Sequence, residues 1–153
     1  MKTPSGRAEV RRRLSASVER VFAAFADAEL VARWLTPSPD VKLTVLGFDF
    51  RVGGAYRFAY DTPDGQRMLV GGTFRSIERP VRLVFSWLID PPDVHAGIPS
   101  EVTVTITPLG AEAELVIQHD RLEREDAVIR HAEGWAGALA RLDRLVTSIR
   151  SPS

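Results

Sequence analysis

The chain has no cysteine. That absence excludes a disulfide framework, a thiolate nucleophile and any Cys-based metal site, and it suits a reducing cytoplasm. Histidine is scarce too, limited to His95, His119 and His131, and lysine occurs only at Lys2 and Lys42, so the basic charge is nearly all arginine. The 20 basic side chains are matched by 20 acidic ones. A chain without net charge lacks the global field that nucleic-acid binding usually requires. No apolar run approaches the ~20 residues that cross a bilayer, and the opening MKTPSGRAEVRRRL carries charge without the apolar centre of a secretory signal. Nucleic acid and membrane are therefore not expected as partners, and the cytoplasm is the expected location. There is also no G-x-S-x-G elbow, P-loop or G-x-G-x-x-G, so hydrolase, nucleotide and dinucleotide chemistry have no motif here, and no cofactor is expected.

What is present suffices for one core: 153 residues, 44% of them hydrophobic, predict one domain over 1–153 with its core at about 8–150. AEVRRRLSA reads as a first strand in which period-2 alternation sends Arg12 to the face opposite Arg11 and Arg13. The period then changes. Val18, Val21, Phe22 and Phe25 recur at helical spacing behind Ser17, a suitable N-cap, and Leu30, Val31 and Trp34 repeat the device behind Asp27 until TPSPD breaks it. From Val41 to His119 six segments alternate apolar and polar residues between turn sequences such as TPDG, ERP and PLGA, the pattern of an antiparallel meander. A tight turn pairing Asp61 with Gln66 would put Tyr56, Phe58 and Tyr60 on the face opposite Met68 and Val70. A bulge or a longer loop within DTPDGQR is therefore expected.

Val128, Ala132, Trp135, Leu139, Leu142, Val146 and Ile149 recur at alternating spacings of four and three, one apolar stripe with Arg130, Arg141 and Arg144 behind it. The fold class is α+β: a curved antiparallel sheet wrapped around a long C-terminal helix from Val128 to about Ile149, with two short helices after the first strand. That helix is thin around its one bulky residue, Trp135, where Ala132, Gly134, Ala136, Gly137 and Ala138 cluster. Small residues let a helix approach a sheet closely or leave volume beneath it, and the sequence leaves both open.

The motifs VERVFAAFADAELVARWL, DFRVGGAYRF, GGTFRSIERPVRLVFSW and HAEGWAGALARL, in this order, resemble the heat-shock-protein-90 ATPase activator-like family of the START/Bet v 1-like (SRPBCC) superfamily, over about residues 8 to 148. The resemblance implies a helix-grip fold with a cavity between the concave sheet face and the C-terminal helix, often used for small apolar ligands. The aromatic residues Trp34, Tyr56, Phe58, Phe74, Phe85, Trp87 and Trp135 are expected around that space. His119 follows Leu115 and Ile117 on the buried parity of the last strand, and His131 lies one turn before Trp135. Both are expected at the cavity mouth, as ligand hydrogen-bonding groups, as an acid/base pair, or as boundary histidines satisfied by backbone or water. Arg12 is expected among the polar groups of the lining, and His95, in the loop DPPDVHAGIPS, in solvent.

A metal set drawn from His119, Asp120, Glu123 and His131 matches no known ligand spacing, so no metal is expected. Asp49 and Arg51 match the family's D-x-R-x-G-G pattern and are expected as a structural ion pair. Gly53-Gly54 and Gly71-Gly72 read as bulge or sheet-bending glycines. Three functions follow. The first is a non-enzymatic module holding a small hydrophobic molecule. The second is a chaperone partner, since the family includes the C-terminal domain of a eukaryotic co-chaperone, although this chain has no room for that protein's separate N-terminal domain. The third is a cyclase- or hydratase-type enzyme using His119 or His131.

Overall fold

The structure is a computed structural model that describes residues 6–91, 96–97, 99–122 and 124–149. In chain order the elements are β1 (Gly6–Leu14), α1 (Val18–Ala26), α2 (Ala28–Trp34), β2 (Lys42–Phe48), β3 (Ala55–Asp61), β4 (Arg67–Glu78), β5 (Arg82–Ile89), β6 (Ser100–Leu109), β7 (Glu112–Leu122) and α3 (Glu125–Ile149). The strands form one antiparallel sheet in the order β1-β7-β6-β5-β4-β3-β2. It curves around α3, the helix-grip arrangement. The meander accounts for β2 to β7, and β1 closes the far side by pairing with β7, Ala8 opposite His119 and Leu14 opposite Ala113.

The caps fall where the sequence places them. Ser17 accepts a hydrogen bond from the Arg20 amide and Asp27 from the Glu29 amide, each satisfying an N–H that the first turn of a helix leaves without a partner. α3 starts earlier than Val128 because Glu125 and Asp126, polar but well placed against the helix dipole, fill its first turn. The β3–β4 hairpin takes the longer-loop solution. Asp61 pairs with Arg67, the loop from Thr62 to Gln66 closes through Thr62 N–H to the Gln66 carbonyl at 2.9 Å, and Phe58 faces Val70 while Tyr60 faces Met68. The two apolar sets share one face.

The concave face carries Val102, Val104 and Ile106 of β6 and Leu115 and Ile117 of β7, all buried, against Trp135, Leu139, Leu142 and Val146 of α3. Ala132 does not reach this core. It packs with Val128 on a smaller cluster of Ala8, Leu122 and Ala127, because the stripe drifts across the sheet edge at that end. Arg12 does project to the α3 side, away from Arg11 and Arg13, but it pairs there with Asp143 of the helix at 2.9 Å and is not among the residues that line the pocket described below. Its neighbours lie on the outer face, Arg11 with Glu114 and Arg13 with Glu112.

Close backbone contacts of α3 run to β1, β7, α1 and α2, and not to β3, β4 or β5. The helix therefore covers one half of the concave face, and side chains alone must fill the other. At the α1 end that half is filled by rings: Phe74 meets Phe48, Phe50, Tyr56 and Phe85 with centroids 4.9–6.1 Å apart, and Phe22 adds to Phe50. Gly72 makes room where the strands cross closely, since a Cβ there would stand 2.1 Å from the Ser86 carbonyl oxygen.

Candidate functional site

At the opposite end of the uncovered half, a pocket of about 380 Å³ lies between sheet and helix. Tyr60, Met68, Trp87 and Ile89 form its sheet side, and Arg130, His131, Gly134, Trp135 and Ala138 its helix side. Leu35, Thr36, Pro37 and Val41, following α2, close one end, while Thr62, Gln66, Arg67 and Asp90 stand at its polar part.

The thin stretch of α3 has two roles here. Gly137 is there for close approach: a Cβ on it would meet the Pro37 carbonyl oxygen at 2.1 Å, so only glycine lets the segment after α2 lie against the helix backbone. Gly134, one turn earlier, meets only Pro37 Cβ at 3.8 Å and lines the pocket, as does Ala138. Close packing and open volume are thus both present, three residues apart.

A directed chain of hydrogen bonds fixes the two tryptophans. Trp135 Nε1–H, which can only donate, points to His119 Nδ1 at 3.1 Å, so that nitrogen carries the lone pair. The proton of the neutral ring then sits on Nε2, 2.7 Å from Ser100 Oγ, and the Ser100 hydroxyl donates to the Trp87 carbonyl at 3.1 Å. His119 has no exposed surface. Burial, with the neighbouring His131 adding to it, holds off its protonation and pushes its pKa down to about 2. The His131 ring lies 4.5 Å from it between centroids, and His131 Nδ1 is 2.8 Å from the Ala127 carbonyl, which makes Nδ1 the protonated nitrogen. Tyr60 donates to the Leu35 carbonyl at 2.9 Å, tying β3 to the end of α2, and burial raises its phenol pKa.

Of the residues that the sequence placed around this space, the structure brings Trp87, His131 and Trp135 to the lining. His119 is not at the mouth; it lies behind the wall, because its strand position is central and its ring is covered by Trp87 and Trp135. Tyr56, Phe58, Phe74 and Phe85 are on the right face but belong to the ring cluster nearer α1, outside the lining. Trp34 is also outside it: its Nε1 donates to the Ala24 carbonyl at 2.9 Å and its ring meets Phe25 edge-on, joining α2 to α1. Arg130 does not lie behind the stripe, since its long side chain turns to the pocket, with a guanidinium nitrogen 3.2 Å from Met68 Sδ. His95 and Glu123 fall outside the described residues. Asp120 faces the outer side of the sheet, paired with Arg7 at 2.5 Å. Among the described residues no three His, Asp or Glu side chains converge as metal ligands. Asp49 and Arg51 form the expected exposed ion pair at 2.9 Å. The sequence reading missed Leu35 to Pro37, Tyr60 and the Gln66–Met68 end of the hairpin; the break TPSPD and the hairpin loop were the only available signals.

A family model described as activator of Hsp90 ATPase homolog 1-like protein matches residues 15–147. The chain belongs to this family. Protein CV1439 from Chromobacterium violaceum is similar to it at 29% identity, over 92% of this chain and 96% of that one, with a TM-score of 0.81. The AHSA1 protein from Silicibacter pomeroyi shares its fold at 23% identity, over 95% and 100% of the two chains, with a TM-score of 0.84. Protein Mll3558 from Rhizobium loti is 28% identical over 91% and 95%, with a TM-score of 0.75. No curated protein matches. The family match spans every element from α1 to α3, the pocket walls included. Among the described residues no helix is long and apolar enough to cross a membrane.

Proposed function

We propose that this AHSA1-type chain acts as one helix-grip domain, a non-catalytic binding module that holds a small apolar or aromatic molecule between the sheet and α3. The pocket carries the reading. Its volume of about 380 Å³ falls within the range of small-molecule sites, and its walls are mostly rings and aliphatic side chains with a few polar groups to one side. His119 is engaged at both nitrogens and kept neutral, so it serves to position Trp87 and Trp135 and not to exchange protons with a guest.

The neutral polarity-sensitive dye N-phenyl-1-naphthylamine tests this. Its emission should rise on the native protein, and Gly134→Leu, which puts a side chain into the pocket from a position with space for a Cβ, should abolish the rise without changing the near-ultraviolet circular dichroism. No dye binding by the parent, or binding untouched by Gly134→Leu, refutes the pocket as a binding site.

Family membership favours a second reading, a chaperone-associated module. The ATP turnover of an Hsp90-type chaperone, measured with and without saturating protein, decides it. An unchanged rate removes this reading.

A further inference from the structure

We propose that Met68 is an oxidation site that controls this pocket: a peroxide transfers one oxygen to its thioether, and the pocket then releases its apolar guest. The proposal rests on the pocket reading above and adds its regulation. It starts from the scarcity of sulfur. With no cysteine in the chain and methionine only at positions 1 and 68, no thiolate competes for a peroxide, and Met68 of β4 is the only sulfur among the described residues. It shares a sheet face with the fully buried Val70, yet it is itself partly exposed and lines the pocket.

The place of the sulfur follows from its contact with Arg130. Met68 belongs to the sheet wall and Arg130 to the helix wall, and a guanidinium nitrogen stands 3.2 Å from Met68 Sδ. The sulfur therefore sits where the two walls meet across the pocket. A guanidinium has five N–H groups, so the one on sulfur leaves the others for further partners. In the oxidation, a sulfur lone pair attacks one oxygen of the peroxide. The O–O bond breaks as the S–O bond forms, sulfur gives up two electrons, and with hydrogen peroxide the other oxygen departs as water, taking the proton of the transferred one. A flexible apolar thioether becomes a polar, chiral sulfoxide. Its oxygen is a much stronger acceptor than sulfur, so the Arg130 guanidinium holds it by a charge-assisted bond and the link between the walls tightens. An aromatic guest loses a soft sulfur contact and meets a dipole instead. Reduction of the sulfoxide reverses the change.

Hydrogen peroxide, peptide mass spectrometry and N-phenyl-1-naphthylamine together test the proposal. Peroxide should convert Met68 to its sulfoxide, and saturating dye should slow that conversion by covering the sulfur. The oxidised protein should bind the dye about tenfold more weakly, the scale of one buried polar group set against an apolar partner, with its far-ultraviolet circular dichroism unchanged. Met68→Leu, a swap of nearly equal volume, should keep the dye affinity within about twofold before and after peroxide. Met68 that stays reduced while Met1 is oxidised, dye affinity that survives the sulfoxide, or an equal loss in peroxide-treated Met68→Leu overturns the proposal. Loss of the helical signal along with the affinity does so too, since the thioether would then support the fold and not the pocket. Dye binding that is indifferent to the sulfoxide but abolished by Gly134→Leu overturns the oxidation site and leaves the pocket reading standing. If the parent binds no dye, both fall.

Discussion

Acidification supplies the sharpest test of the wall behind the pocket. Trp135 Nε1–H occupies the Nδ1 lone pair of His119, so a second proton on that ring would set two N–H groups against each other at a fully buried position. The folded pKa of about 2 lies far below the value of about 6.5 for the unfolded chain. Because the folded pKa is depressed, the unfolded state binds the extra proton first. The stability is fully present above about pH 6.5 and is lost progressively as pH falls toward 2. The limiting slope is about 1.4 kcal/mol per pH unit, which gives about 2 kcal/mol between pH 6.5 and 5.

Carboxylates held below their usual range, such as Asp61 beside Arg67, act only at lower pH, so the interval from 7.5 to 5 isolates histidine. Urea denaturation across that interval should show the loss in the parent. The same titration of His119→Gln should be flatter by about the same 2 kcal/mol, even though that protein starts less stable for want of the imidazole contacts. His131 is present in both proteins, so the difference reports His119 together with its coupling to that neighbouring ring. Equal pH dependence in the two refutes the buried neutral imidazole and the direction assigned to its hydrogen bonds.

Two further substitutions check the packing. Leu139→Ala, at a fully buried position facing the sheet, should cost about 2–5 kcal/mol in urea denaturation, and a midpoint near that of the parent would mean that the α3 stripe does not carry the core. Gly134→Ala and Gly137→Ala should move the thermal midpoint in opposite directions. The first gains about 0.5–1 kcal/mol of helix propensity where nothing lies closer than Pro37 Cβ at 3.8 Å. The second forces a methyl to within 2.1 Å of the Pro37 carbonyl oxygen and should lose about 1–3 kcal/mol.

The elements of this fold were legible because each is written in local periodicity. Ser17 and Asp27 cap helices whose apolar spacing follows at once, and the parity conflict between Tyr60 and Met68 was enough to require the loop that the hairpin has. The family was legible for the same reason, since its motifs run along those elements. The pocket was legible only in part, because alternation tells which face of a sheet a residue is on and nothing about where along the strand the helix leaves that face uncovered. Tyr56 and Tyr60 share a parity, as do Phe85 and Trp87, yet in each pair the first lies among the phenylalanines near α1 and the second beside the pocket.

What separates them is a contact between residues far apart in sequence. Gly137 admits the Pro37 backbone against α3, and the segment after α2 then closes the pocket end at Leu35 and Pro37, with Tyr60 bound to the Leu35 carbonyl. A helical wheel likewise assigns Arg130 to the outer side from its Cα direction, but a side chain with several rotatable bonds can turn back over the helix edge, and the polar end of the pocket is where its charge is accommodated. The residues that periodicity misplaces are those whose position depends on this one long-range approach. It follows that Gly137→Ala, by pushing the Pro37 segment off the helix, should change the shape of the pocket as well as the stability, and should weaken binding of the neutral dye although position 137 is not part of the lining. Unaltered dye affinity in a measurably destabilised Gly137→Ala protein would show that the pocket end is held by Tyr60 and its hydrogen bond to Leu35 instead.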